Sequence, residues 1–342
     1  MQELRKILGC CLMLLSVYMT GAQDLHFSQY FNTPLLVNPA NTGFNPDYDF
    51  RIGANYRNQW ASIGNPYKTM SAWGDVKMFQ NRFENGWMGI GASLMKDVAG
   101  SGNLSATHAT ATIAYHQMLG YNSLLSGGFG LSYVNKRVDV NKLTFDNQWN
   151  GKFFDITIPS NEPFANTSAS YLDLQMGLNY AYFASDNFYF NAGVSILHIN
   201  RPRESFFDPT VSNASLARRY TGFLNASIKL QDTWIVNPNI YVSKMGTAWE
   251  TVLGFNANRN LSGDGAQQMI FGLYYRNKDA IIPMLGYEVN DLKIIVSYDA
   301  TVSTLRNLNG SRGAYELSLV KSGVFSSSTG RSVKCPTVRF SY

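Results

Sequence analysis

Hydrophobic and polar residues alternate with period two over most of this chain, in segments of about ten residues, the length that a membrane-crossing strand needs. In 171–182, Leu172, Leu174, Met176, Leu178, Tyr180 and Tyr182 form one face, and Tyr171, Asp173, Gln175, Gly177, Asn179 and Ala181 form the other. In 188–196, Phe188, Phe190, Ala192, Val194 and Ile196 alternate with Tyr189, Asn191, Gly193 and Ser195. Residues 87–94 set Met88, Ile90, Ala92 and Leu94 against Gly89, Gly91 and Ser93. Residues 50–57 set Phe50, Ile52, Ala54 and Tyr56 against Arg51, Gly53, Asn55 and Arg57. A lipid face and a lumen face would alternate in this way. A soluble β-sandwich alternates too, but its strands commonly run only about five or six residues. The aromatic pairs Tyr56/Trp60, Tyr180/Tyr182 and Tyr274/Tyr275 fall near strand ends, as interfacial girdles do.

The pattern predicts an all-β fold, a transmembrane antiparallel β-barrel of about 14 strands. They fall near 48–60, 67–79, 86–96, 103–117, 123–135, 169–184, 187–200, 217–230, 233–246, 249–260, 267–276, 280–288, 291–300 and 313–321. The even-numbered connections are short, and the three longest, 136–168, 201–216 and 301–312, are all odd. Short periplasmic turns and longer external loops give this parity when the N-terminus is periplasmic. A missed hairpin would preserve it, so twelve to sixteen strands fit. Pro238 and Pro283 lie inside strands and donate nothing to a ladder, which predicts bulges or irregularities there. Gly127, Gly128 and Gly130 cluster in one strand, where they let the wall bend or a plug approach.

Ahead of the barrel, residues 1–22 read as a signal peptide, with Arg5 and Lys6, an apolar run Ile7–Met19, and Thr20-Gly21-Ala22 as the cleavage site. Ile7-Leu8-Gly9-Cys10 has the look of a lipoprotein box but stands at the start of the apolar run instead of its end. The resulting division is signal peptide 1–22, N-terminal plug or periplasmic cap 23–47, barrel 48–321 and periplasmic tail 322–342. The cap segment is interrupted by Pro34 and Pro39, which excludes a long helix. Its aromatics would be costly to expose, so it should tuck into the lumen or cover the periplasmic mouth.

Charged residues make up 15% of the chain and aromatics 14%. A soluble domain carries roughly 25% charged residues, so the balance fits a membrane barrel. The net charge of +5 is dispersed and forms no basic stripe, which argues against nucleic acid as a partner. Beyond Cys10 and Cys11 only Cys335 remains, either pairing with another chain or standing free. No catalytic, metal or cofactor motif stands out among His26, His108, His116 and His198. His108 and His116 share a strand face but lie too far apart for one metal, and read as polar strand-end positions in contact with water. Asp75, Asp173, Asp299 and Glu316 are inward carboxylates with Arg51 and Arg57 as partners, a structural pairing. In the loop 136–168, Phe145, Trp149, Phe153 and Phe154 are candidate partner-binding residues, or else a folded cap on the barrel mouth.

Residues 23–60 resemble the N-terminus of the PorP/SprF family, outer-membrane proteins of type IX secretion in Bacteroidota. The likeness rests on Phe27-Ser28-Gln29-Tyr30, Asn38-Pro39-Ala40, Gly43 and, most specifically, Asn55-Tyr56-Arg57-Asn58-Gln59-Trp60. Lys142-Leu143-Thr144-Phe145, Gly272-Leu273-Tyr274-Tyr275-Arg276, Tyr298-Asp299, Tyr315-Glu316-Leu317-Ser318-Leu319, and Lys334-Cys335-Pro336 with Arg339-Phe340 are similar to later family motifs in the same order. The resemblance implies a non-enzymatic component, without a cofactor, that supports export or surface retention of adhesins with a type B C-terminal domain and serves gliding motility. The implied partners are outer-membrane lipid, the adhesin, and a periplasmic lipoprotein ring or an OmpA-like peptidoglycan-binding protein. Phe27, Gln29, Tyr30, Asn38, Pro39, Arg57, Asn58, Gln59 and Trp60 form the expected plug and first-strand motif. A passive channel for small solutes and a structural anchor are the alternatives.

Connection parity makes a direct forecast. Cysteine placed at Asn150 or Asn307 is labelled on intact cells by a membrane-impermeant maleimide, and cysteine at Asn187 is not; the reverse result inverts the topology.

Overall fold

The computed structural model describes residues 27–325 apart from Pro46, 62–65, Glu84, Ser101, Pro163, Ala165, 208–213 and Leu305, and without the side chains of Asn81 and Leu308. The expected signal peptide with Cys10, residues 23–26 with His26, and the tail beyond Phe325 with Cys335 lie outside the described residues.

Fourteen strands follow in order: β1 Phe50–Gln59, β2 Tyr67–Phe83, β3 Gly86–Ala99, β4 Leu104–Met118, β5 Ser123–Arg137, β6 Ser168–Ser185, β7 Phe188–Leu197, β8 Arg219–Leu230, β9 Trp234–Met245, β10 Ala248–Asn260, β11 Gln267–Arg276, β12 Ala280–Val289, β13 Leu292–Thr301 and β14 Arg312–Gly323. Each overlaps one of the fourteen expected segments. Every strand pairs antiparallel with its sequence neighbours, and β1 pairs with β14 from Phe50↔Gly323 to Gln59↔Ala314. That last pairing closes the barrel and leaves no edge. The last strand runs two residues past its expected end. Among the described residues no helix is long and apolar enough to cross a membrane.

The alternation has the expected sense. In β6, Leu172, Met176 and Leu178 are exposed on the outer wall, while Asp173, Gln175, Asn179 and Ala181 are buried in the lumen. In β3, Ile90 and Leu94 face out and Ser93 faces in. This two-faced pattern pins the register, because a one-residue slip would turn every lipid-facing side chain into the lumen. Strands β2 to β6 have 14 to 18 residues, while β1, β7 and β11 to β13 have ten, so the wall is taller on one side.

At one end, called here the short-turn end, the strands are joined by links of at most six residues. The segments 138–167, 198–218 and 302–311 all lie at the other, long-loop end.

Two expectations need correction, and a third holds in one of its two forms. The prolines make ladder irregularities and not bulges. Pro238 pairs in register with Phe255, and pairing to β8 skips from Asn225↔Asn239 to Ile228↔Val236 without a shift. Pro283 pairs with Leu273, and pairing to β13 skips from Ile281↔Ala300 to Met284↔Ser297, again unshifted. Each missing N–H therefore interrupts one ladder and leaves the other whole. Tyr274 is not a girdle residue: its ring is buried inside, and its hydroxyl accepts from Asn239 Nδ2 at 2.8 Å. His116 does not touch water, being fully buried in the lumen.

Leu178 lies near the middle of β6 on the outer face. Leu178→Arg is expected to cost about 2–4 kcal/mol if that point sits at the bilayer midplane, read as loss of the heat-resistant folded band.

Candidate functional site

The lumen is occupied by the chain's own N-terminal segment. Residues 27–45 pass through it as a turn at Tyr30–Asn32, one helical turn at Pro34–Val37 and a turn at Pro39–Asn41. Both prolines stand at first-turn positions, where no backbone N–H is needed. Asn38 joins the last two turns: its Oδ1 accepts from Ala40 N at 2.8 Å, and its Nδ2 donates to Leu178 O and Val194 O at 3.0 and 3.2 Å.

Near the long-loop end the segment meets four buried charges. Arg57 pairs with Asp299 at 2.9 Å and with Glu316 at 3.1 Å. Arg276 pairs with Asp299 at 3.1 Å, with Asp279 at 3.0 Å and with Glu250 at 3.3 Å. Ser28 sits between them: its hydroxyl donates to Asp299 and accepts from Arg57 and Arg276. The backbone N–H groups of Ser28 and Gln29 donate to the two oxygens of Glu316, at 2.9 and 2.8 Å. Two successive N–H groups on one carboxylate make a small anion nest. Gln29 Nε2 donates to Ser297 Oγ at 2.9 Å. Beside this cluster Tyr30 stacks on Tyr241 at 4.7 Å and Phe31 on Tyr274 at 5.5 Å.

Farther towards the short-turn end the wall is cut back to admit the segment. A Cβ on Gly177 would lie 1.9 Å from Asn38 Oδ1, one on Gly128 would lie 2.4 Å from Ala40 N, and one on Gly89 would lie 1.9 Å from Thr42 O. No side chain fits at those three places. Gly128 thus serves approach of the segment, whereas Gly130 makes room for Gln175. His116 Nε2 donates to Thr42 O at 2.8 Å, since a carbonyl can only accept, which leaves Nδ1 to accept from Ser126 Oγ at 2.7 Å. Trp73 Nε1 donates to Asn32 O and Trp87 Nε1 to Gly43 O. Asp75 accepts from Gly43 N at 2.7 Å and pairs with Arg51, whose Nη2 also donates to Asn41 O.

The expected motif residues divide by position. Phe27, Gln29, Tyr30, Asn38 and Pro39 are all buried in the lumen. From β1, Arg57 reaches the segment, and Gln59 Oε1 accepts from Arg57 Nη2 at 3.2 Å. Asn58 and Trp60 bond elsewhere: Asn58 donates to Tyr315 Oη, and Trp60 packs on Tyr67 with its backbone N–H on Gly313 O. Period two accounts for Asn58, because a residue next to an inward one points outward. The inward carboxylates fall as expected, with Asp173 paired to His198 at 3.0 Å. Arg276, Ser28 and His116 were not foreseen in their roles. Arg276 was legible only as an inward cation at a strand end, because its buried partners Asp299 and Glu250 come from other strands.

The long loops pack on one another. Phe145 meets Phe164, which stacks on Phe207 at 5.2 Å. Lys136 pairs with Glu204 at 2.5 Å. Buried Gln148 ties 145–158 together, accepting from Phe145 N and donating to Ile158 O. The Thr157 hydroxyl and N–H hold the exposed Asp155 carboxyl below its usual range. This fold leaves Trp149, Phe153 and Phe154 exposed at the tip, with Trp149 and Phe154 in edge contact at 5.1 Å.

Arg57→Met is expected to cost about 3–5 kcal/mol by leaving buried carboxylates short of a cation. Ser28→Ala should cost about 1–3 kcal/mol, both read from denaturant midpoints. Gly177→Leu should unseat the segment and raise single-channel conductance with an unchanged far-UV spectrum; unchanged conductance would mean the segment stays seated without this contact.

No curated protein matches this chain. Among solved structures, it is similar to a ΔS2 mutant of the TodX monoaromatic hydrocarbon channel, at 12% identity and TM-score 0.50 over 84% of this chain and 93% of that one. It is also similar to the toluene transporter TbuX of Ralstonia pickettii, at 10% identity and TM-score 0.46 over 84% and 92% of the two chains. At such identity the likeness concerns the barrel fold alone. The model of the family described as type IX secretion system membrane protein PorP/SprF matches residues 19–320, which takes in the lumen segment and almost the whole barrel. The chain belongs to the PorP/SprF family of type IX secretion system membrane proteins.

Proposed function

We propose that this protein is a non-enzymatic outer-membrane component that supports export or surface retention of adhesins bearing a type B C-terminal domain, and through them gliding motility. The observation that carries this reading is an occupied lumen in a chain of this family: residues 27–45 are held inside the barrel by ion pairs, hydrogen bonds and a wall of glycines. A passive solute channel needs an open polar lumen, and this filling speaks against one. In this reading the long-loop end faces outward, and Trp149, Phe153 and Phe154 meet the adhesin or a secretion partner. Clustered exposed aromatics are the commonest anchors of such contacts. The short-turn end faces the periplasm, where a lipoprotein ring or an OmpA-like peptidoglycan-binding protein would engage it.

The test combines two strains lacking paralogues. Trp149→Ala with Phe153→Ala should leave the barrel heat-resistant and lower surface display of the cognate adhesin several-fold, since truncating an aromatic anchor can cost about 2 kcal/mol or more. Normal display in that double variant removes the loop from the binding role. A clean deletion that leaves all type IX substrates in place and alters solute uptake would replace the secretion reading with the channel one.

A further inference from the structure

We propose that the cavity between the lumen segment and the β7–β8 wall is a binding site for a small, neutral, polyhydroxylated molecule, a single sugar ring or a short polyol. Asn191 on β7 and Asn225 on β8 are direct cross-strand partners facing the lumen. The Oδ1 atom of each is buried without a hydrogen-bond partner among the described residues, and so is the hydroxyl of Tyr30. All three residues border one cavity of about 140 Å³, together with Phe31, Phe223 and Arg51. Buried polar atoms in folded proteins are nearly always paired, so three orphans around one space point to an occupant. Farther round the wall some polar side chains pair with one another, Ser227 donating to Asn237 and Asn258 to Gln268, whereas Asn256 Oδ1 is orphaned away from this cavity; what sets this cavity apart is that three such atoms border one space.

The lining selects the chemistry. Two amide oxygens call for hydroxyl or amine donors, and the Tyr30 hydroxyl can give or take a proton. The one charge at the cavity, Arg51, is already matched by Asp75, so neither an anion nor a cation is favoured. The aromatic rings offer apolar faces to the C–H side of a ring, in a cavity whose surface is about evenly divided between apolar and polar groups. Its volume equals that of about four or five waters, which admits a short polyol such as glycerol; a sugar ring must extend into the adjoining cavity as well, and a peptide or an oligosaccharide is excluded. A second cavity of about 160 Å³ shares Phe31, Pro34 and Arg51 with the first and reaches Tyr48 and Asp291 at the short-turn rim, which supplies an entry path.

Six of the ten lining residues belong to the lumen segment and four to the wall. An occupant that bridges them binds only the seated state, and therefore stabilises it by mass action. The site does not depend on which secreted substrate the barrel serves.

The full chain, purified in an amine-oxide detergent that carries no sugar, is titrated calorimetrically with glucose, N-acetylglucosamine and glycerol. At least one should bind saturably at a single site. Asn191→Leu with Asn225→Leu should weaken that binding at least tenfold, and Tyr30→Phe, which removes one hydroxyl and keeps the ring, several-fold, with heat-modifiability retained. The proposal is overturned if none of the three binds saturably, in which case the cavity holds water only. It is equally overturned if binding is unchanged in Tyr30→Phe and in any folded double variant.

Discussion

Arg57, Arg276, Asp299 and Glu316 are sealed inside the barrel, and buried charges persist only when every one is paired and hydrogen-bonded. Strands alone do not meet that condition here. The missing donors and the shared hydroxyl come from Ser28 and Gln29, which precede β1 and return from inside the lumen to complete the set. The position of the whole N-terminal segment follows. Its start is fixed by this cluster near the long-loop end, and its finish by Gly43 and Asn41 on the Arg51–Asp75 pair nearer the short-turn end. Between them the chain has little freedom except to run along the wall.

The two halves of the lumen treat that segment differently. On the β3 to β7 side, the glycines bring backbone against backbone, and Asn38 donates to carbonyls of the ladder itself. On the β8 to β11 side, Tyr241 and Tyr274 meet it with stacked rings. Rings are rigid and cannot follow every contour of a turn, and the cavity beside Tyr30 and Phe31 lies where the two kinds of packing give way to each other.

The long-loop end is organised by a separate principle. The taller strands β2 to β6 carry the longest loop, and that loop buries Gln148 while leaving its tip aromatics in water. Exposing Trp149, Phe153 and Phe154 together is unfavourable for an isolated protein, which motivates the proposal that they meet a partner.

Much of this was legible in the sequence, because strand periodicity reports sidedness residue by residue. A count of about fourteen strands, with twelve to sixteen still open, the outward set of β6 and the inward carboxylates Asp75, Asp173, Asp299 and Glu316 all follow from a period of two. Even the family-like motifs around Ser28, Arg57, Arg276, Asp299 and Glu316 were visible as separate strings. What periodicity does not contain is which inward residues share a height in the lumen, since that depends on barrel stagger and on the path of a segment with no regular period. Only the tertiary structure could therefore bring those five residues to one point, turn Tyr274 from a girdle position to a buried ring, and place His116 beneath Thr42. The local pattern determined what faces inward, and closure of the barrel around its own N-terminal segment decided what meets there.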